Sequence, residues 1–180
     1  MIYRRPPKHI NGWMSQAELQ WLYSRAKEYK TIIEVGCWQG KSTHALLTGA
    51  LKGGGKVSVV DHFQGAAGQE RFFLDVAYMD IYHVFQAHVG HFPNLDIIYK
   101  MPSLEGAARA ETAEMVFIDA GHDYEEVKAD IEAWQPKCTK LLCGHDYYVF
   151  PGVKKAVMEK FGVPRICDSI WYVEMPHDPH

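Results

Sequence analysis

The sequence predicts an α/β fold: a doubly wound, mostly parallel sheet with helices on both faces and a closing antiparallel hairpin. Three observations predict it. Short apolar β-rich runs alternate with helical patterns along the chain. Several of these runs end on an acid or on His-Asp: Glu34, Asp61, Asp119 and His145-Asp146. A glycine-rich turn follows the first run and leads straight into a helix.

The chain has 180 residues, 47% of them hydrophobic and 13% aromatic, which suits one domain with a full core. Residues 1–30 read as an arm and a helix belonging to the same domain as residues 31–180. The formal net charge is -3, from 19 basic and 22 acidic side chains. That balance implies no basic field for nucleic acid. The four cysteines, Cys37, Cys138, Cys143 and Cys167, form no C-x-x-C pair and read as reduced thiols. Met1 to Pro7 lacks an apolar signal core, and no run approaches the ~18 apolar residues of a membrane span. The expectation is a cytoplasmic protein with no membrane partner, leaving a homo-oligomer open.

In order along the chain, Pro6-Pro7 and Asn11-Gly12 make the first twelve residues an extended arm. Ser15 and Glu18 form a capping box that starts a helix burying Leu19, Leu22, Tyr23 and Ala26. Thr31 to Val35 is the first strand. The helix after the glycine turn opens at Ser42 or Thr43 and stops at Gly53-Gly54-Gly55. Lys56 to Asp61 is a second strand, and its continuous apolar end suits a strand covered on both faces.

Gln64 to Gly68 reads as a loop, followed by one long helix from about Glu70 to about His88, with Phe72, Phe73, Tyr82 and Phe85 along it. Asn94 to Tyr99 is a third strand, and Ser103 caps a short helix behind it. Glu114 to Asp119 is a fourth strand. Asp123 and Glu126 repeat the capping-box pattern, and Pro136 ends the helix they open. Lys140 to Cys143 is a fifth strand. Pro151 sits at the first position of the next helix, and Asp168-Ser169 turns a closing hairpin.

Ligands of open α/β sheets bind outside the carboxyl ends of the strands, so the acids at those ends are candidate site residues. The turn Gly36-x-x-x-Gly40-Lys41-Ser42-Thr43 is one residue short of the P-loop pattern, which discounts a nucleotide hydrolase. It is not G-x-G-x-x-G either. The order E-x-G-x-x-x-G-x-S-T after a strand, from Glu34 to Thr43, resembles motif I of class I S-adenosylmethionine-dependent methyltransferases. Phe117 to Val127 and Gly144 to Val157 resemble two further segments of the small macrocin-type and catechol-type O-methyltransferases. Trp38 and Gln39 depart from the glycine-rich loop of many relatives.

The resemblance implies a Rossmann-like fold and S-adenosylmethionine as cofactor. It also implies cofactor contacts from Glu34, Gly36, Gly40, Ser42, Thr43, Asp61, His62, Ser103 and Asp119. Asp61 would hold the ribose hydroxyls, about twenty residues beyond the turn. Asp119 and Asp146 are candidate ligands for Mg2+ or, with His145 beside them, Mn2+. His122, His145 and Asp119 are the candidate catalytic residues. The function implied is O-methylation of a small molecule or sugar hydroxyl. The alternatives are a non-catalytic cofactor-binding relative and, behind it, the P-loop hydrolase.

Overall fold

The structure is a computed structural model that describes residues 10–65, 77 and 79–176. Its strands are β1 (Thr31–Val35), β2 (Lys56–Val60), β3 (Leu95–Tyr99), β4 (Ala113–Ile118), β5 (Cys138–Gly144), β6 (Arg165–Cys167) and β7 (Ile170–Glu174). The helices are α1 (Gln16–Ala26), α2 (Lys41–Gly53), α3 (Ile81–Val89), α4 (Ser103–Arg109), α5 (Tyr124–Trp134) and α6 (Pro151–Phe161). One sheet runs in the order β3-β2-β1-β4-β5-β7-β6. β1 to β5 pair in parallel, while β7 is antiparallel to both β5 and β6.

The apolar runs explain the two-sided core. Successive side chains on a strand point to opposite faces, so a strand covered twice must be apolar throughout. Ile32, Met115, Phe117, Leu141 and Cys143 face a cluster shared with α1, α2 and α3. Ile33, Val116, Ile118 and Leu142 face the other cluster, with α4, α5 and α6. Trp134 and Trp171 are fully buried there. The order reverses between β1 and β4, whose carboxyl ends therefore open the crevice where such sheets bind ligands.

Several expectations about helix ends change. α2 begins at Lys41, and its N-cap Gly40 has φ +91°. Gly54, at φ +69°, closes α2 as expected. The long helix ending near His88 is interrupted, because Asp80 is extended at ψ 96° and its side chain accepts from the His83 amide to start α3 afresh. Phe72, Phe73 and the rest of that expected helix before residue 77 lie outside the described residues, as does the arm before Ile10. The N-cap of α4 is Pro102, not Ser103. Asp123 occupies the N-cap of α5 without a side-chain capping bond. The Ser15–Glu18 capping box is complete, and Pro151 lies in the first turn of α6. Among the described residues no helix is long and apolar enough to cross a membrane.

Candidate active site

The glycine turn sits at the end of β1, between β2 and β4. Gly36 has φ +82°, and a Cβ there would lie 2.1 Å from the carbonyl oxygen of Asp119. Only glycine permits this approach of the two strand ends. The turn is held by Asp61 from the neighbouring strand. Asp61 Oδ2 accepts from the Cys37 amide at 2.8 Å and the Trp38 amide at 2.9 Å, and Oδ1 accepts from the Phe63 amide at 2.6 Å. A carboxylate offers about four acceptor positions, so hydroxyl donors can still be received at this half-buried side chain. His62, beside it, accepts from the Gln64 amide through Nδ1 at 2.9 Å.

Other residues expected at the cofactor are turned inward. Glu34 and Thr43 are fully buried, and Ser42 is buried. Thr43 Oγ1 donates to Glu34 Oε2 at 2.5 Å, bracing the strand against the start of α2 from beneath the turn. Burial pushes the Glu34 carboxyl up to about 8, with the Ser42 and Thr43 hydroxyls pulling the other way. Ser103 is likewise committed inside the protein. Its hydroxyl donates to Asp130 Oδ1 at 2.5 Å and accepts from Trp134 Nε1 at 2.9 Å, tying α4 to α5. Gln39 is buried, and Trp38 is half-buried against the core at φ +46°.

The ends of β4 and β5 bring the remaining candidates together. The His145 amide donates to the Ile118 carbonyl, which fixes the loop after β5 against the end of β4. Asp146 then adopts φ +64°, a left-handed conformation that aspartate tolerates better than most residues. His122 Nε2 lies 2.9 Å from Asp146 Oδ2, and His145 Nδ1 lies 3.2 Å from Asp146 Oδ1 and 3.7 Å from Asp119 Oδ1. Phe150 stacks on the His122 ring at 4.3 Å and orients it from the side.

One member of this site was not foreseen. Glu18, read from the sequence only as a capping residue, is buried with Oε1 3.0 Å from His145 Nε2. The S-x-x-E pattern announced the cap, but nothing local announces a partner 127 residues away.

The electrostatics follow from this crowding. Burial disfavours charge on His145, but Asp119, Asp146 and Glu18 outweigh it and push the imidazole up to about 12. Burial also opposes charge on His122, and its bond to Asp146 with the nearby Asp119 charge still raises it. Asp146 is held well below the usual carboxylate range, its burial overcome by the two histidines. The pair can therefore hold a proton at His122 and balance its charge at Asp146.

Ligand atoms of Asp119, His145 and Asp146 lie within 4.8 Å of one another. Asp119 and Asp146 offer two carboxylates to a divalent metal, and His145 Nδ1, which now faces both of them, would complete a manganese-type set on giving up its proton, with Glu18 still on Nε2.

Comparison with known proteins now decides the family. The family model described as "Methyltransferase domain" matches residues 33–147, well over half of the chain and all of the turn and strand ends described above. The chain belongs to this family. It is an S-adenosylmethionine-dependent methyltransferase, and the P-loop alternative is not favoured. No curated protein matches it.

Among solved structures, an S-adenosylhomocysteine-bound methyltransferase of Podospora anserina matches with TM-score 0.61 at 11% identity, over 89% of this chain and 78% of that one. An S-adenosylhomocysteine complex of a Bacillus cereus O-methyltransferase gives TM-score 0.57 at 16% identity, over 94% and 84%. The TDP-rhamnose 3'-O-methyltransferase of calicheamicin biosynthesis gives TM-score 0.57 at 19% identity, over 87% and 76%. At these identities the likeness is one of fold. In this methyltransferase Asp61 presents a half-buried carboxylate beside a turn made of backbone.

Proposed function

We propose that this methyltransferase acts on a hydroxyl oxygen of a small molecule, with His122 taking the hydroxyl proton and Asp146 balancing the charge that His122 gains. The observation that carries this reading is the His122 Nε2–Asp146 Oδ2 pair at 2.9 Å, at the carboxyl ends of the strands. S-adenosylmethionine, when bound, supplies a methyl carbon on a positively charged sulfur. The hydroxyl oxygen forms the new bond to that carbon as the carbon–sulfur bond breaks, the electron pair stays on sulfur, and the proton passes to His122. The protein's share is alignment and proton removal. Asp61 would hold the ribose hydroxyls, and the backbone of Gly36 to Gly40 would face the rest of the cofactor.

Tyr148 and Val149 stand exposed on the loop that carries Asp146, and they offer an apolar lip to an acceptor. Asp119, His145 and Asp146 would hold a divalent metal, which would lower the pKa of a hydroxyl bound to it. Two solved structures of the same fold motivate the probes: one is described as a TDP-rhamnose 3'-O-methyltransferase, and another, from Staphylococcus aureus, carries the description of a caffeoyl-CoA O-methyltransferase.

The test is transfer of labelled methyl from S-adenosylmethionine to TDP-rhamnose, caffeoyl-CoA and simple catechols. His122→Ala should lower turnover by a factor of about 10²–10⁴ while S-adenosylhomocysteine binding stays within threefold. A His122→Ala protein that turns over at the wild-type rate would sink the reading.

A further inference from the structure

Glu18 does more than a capping box requires. In such a box the glutamate only reaches back to the amide of the N-cap residue. Glu18 Oε2 does this, accepting from the Ser15 amide at 2.7 Å. Its other oxygen is spent elsewhere: Oε1 accepts from the Ser169 amide at 3.0 Å and lies 3.0 Å from His145 Nε2. The residue is 3% exposed, so this contact lies inside the protein, between α1 and the loop after β5. The Ser15 hydroxyl donates to Asp168 Oδ2 at 2.6 Å, fastening the same corner to the hairpin turn.

The chemistry of these atoms has a consequence for the reaction. An ionised carboxylate only accepts, so the His145 nitrogen that meets Glu18 must carry a hydrogen. Glu18 thereby fixes which way the His145 ring is turned. Nε2 is committed to α1, and Nδ1 is committed to Asp146 Oδ1 at 3.2 Å. Asp146, gripped by His145 on Oδ1, presents Oδ2 to His122. Each link depends on the one before it. A His145 ring free to rotate would release Asp146, whose left-handed backbone is already unfavourable, and His122 would lose the Asp146 contact on its Nε2.

We propose that Glu18 is a positioning residue of the active site, acting through His145 and Asp146 to hold His122. Its importance for turnover rests on the reading of His122 given above. The chain of contacts itself can be tested without an acceptor.

The experiment reads imidazole N–H protons by NMR in the full chain with S-adenosylhomocysteine added. The His122 signal is assigned by its disappearance in His122→Gln, which leaves that of His145. The wild type should show slowly exchanging Nε2–H protons for both rings. Glu18→Leu keeps much of the side chain's volume but leaves His145 Nε2 and the Ser169 amide without their acceptor, and both signals should be lost to exchange. Ser15→Ala weakens the cap without touching Glu18 Oε1, and both should survive.

Retention of the His122 signal in folded Glu18→Leu would overturn the inference, whether or not His145 changes. Should Glu18→Leu not fold, His145→Gln read at His122 carries the same test, and an unchanged His122 signal would again overturn it. Neither result depends on methyl transfer. A His122→Ala protein with full turnover would instead remove the proposed base and leave the contact chain standing.

Discussion

Thr43 Oγ1 donates to Glu34 Oε2 at 2.5 Å inside the protein, with both side chains at 0% exposure. Among the described residues Glu34 Oε1 has no hydrogen-bond partner. A buried carboxylate so placed is better neutral, and burial accordingly pushes it from an ordinary 4.5 up to about 8, against the pull of Ser42 and Thr43. The folded protein therefore keeps a proton that the unfolded chain releases. Stability from this group is fully present below pH 4.5 and is lost as pH rises to about 8. The expected slope is on the order of 1 kcal/mol per pH unit. Urea unfolding between pH 5 and pH 8 should show this decline in the wild type and a flatter profile in Glu34→Gln. Parallel profiles would mean that Glu34 is ionised in the folded state.

Asp61 holds the turn and is the proposed ribose ligand, so its removal should be felt twice. Asp61→Ala leaves the Cys37 and Trp38 amides without their acceptor, and the turn should lose definition. Loss of the ribose contact should weaken S-adenosylhomocysteine binding by about 1–3 kcal/mol, measured by isothermal titration. Asp61→Asn retains one carbonyl acceptor and should fall between wild type and alanine. An unchanged affinity in both variants would take the ribose role away from Asp61.

Gly36 and Gly162 both have positive φ, yet they should respond differently to alanine. At Gly36 a Cβ would lie 2.1 Å from the Asp119 carbonyl, where β1 and β4 are paired. Gly36→Ala must separate the strand ends, at a cost above the ~1–2 kcal/mol of left-handed strain alone, and should also reduce cofactor affinity. At Gly162, with φ +72° and ψ -139°, a Cβ would meet nothing within 4 Å among the described residues, so Gly162→Ala should cost only backbone strain, about 1–3 kcal/mol. Thermal unfolding of the two variants side by side checks this. Equal losses would argue against the tight crossing at Gly36.

What the sequence disclosed follows from the range of the interactions involved. The parallel strands were legible because an apolar run covered on both faces is a local pattern, as in Met115 to Ile118. The acids at their ends were legible by position alone. The true partners of the polar side chains were not. Ser103 serves Asp130 and Trp134, and Glu18 meets His145, across separations of 27, 31 and 127 residues. Such pairs are set by which strand lies beside which, and topology is not written in any short window. The same holds for Glu34, whose charge state depends on being sealed beneath α2. Asp80 is a different failure: its capping bond to His83 is local, but the apolar stripe on either side of it concealed the break.

The donor set of Asp119, His145 and Asp146 leads to a prediction about metals. Two carboxylates with one imidazole favour a borderline ion over magnesium, which prefers oxygen ligands and keeps its waters. Mn2+ with S-adenosylhomocysteine should therefore raise the thermal midpoint more than Mg2+ does at equal concentration, since a ligand of the folded state alone stabilises it. Asp146→Asn is the variant of choice, because asparagine tolerates the φ of +64° and preserves the shape of the loop. It removes the negative charge that a cation needs and should abolish most of the Mn2+ shift. A shift that survives in Asp146→Asn would remove Asp146 from the ligand set. No shift in the wild type would remove the metal altogether, leaving proton transfer to His122 and Asp146 alone.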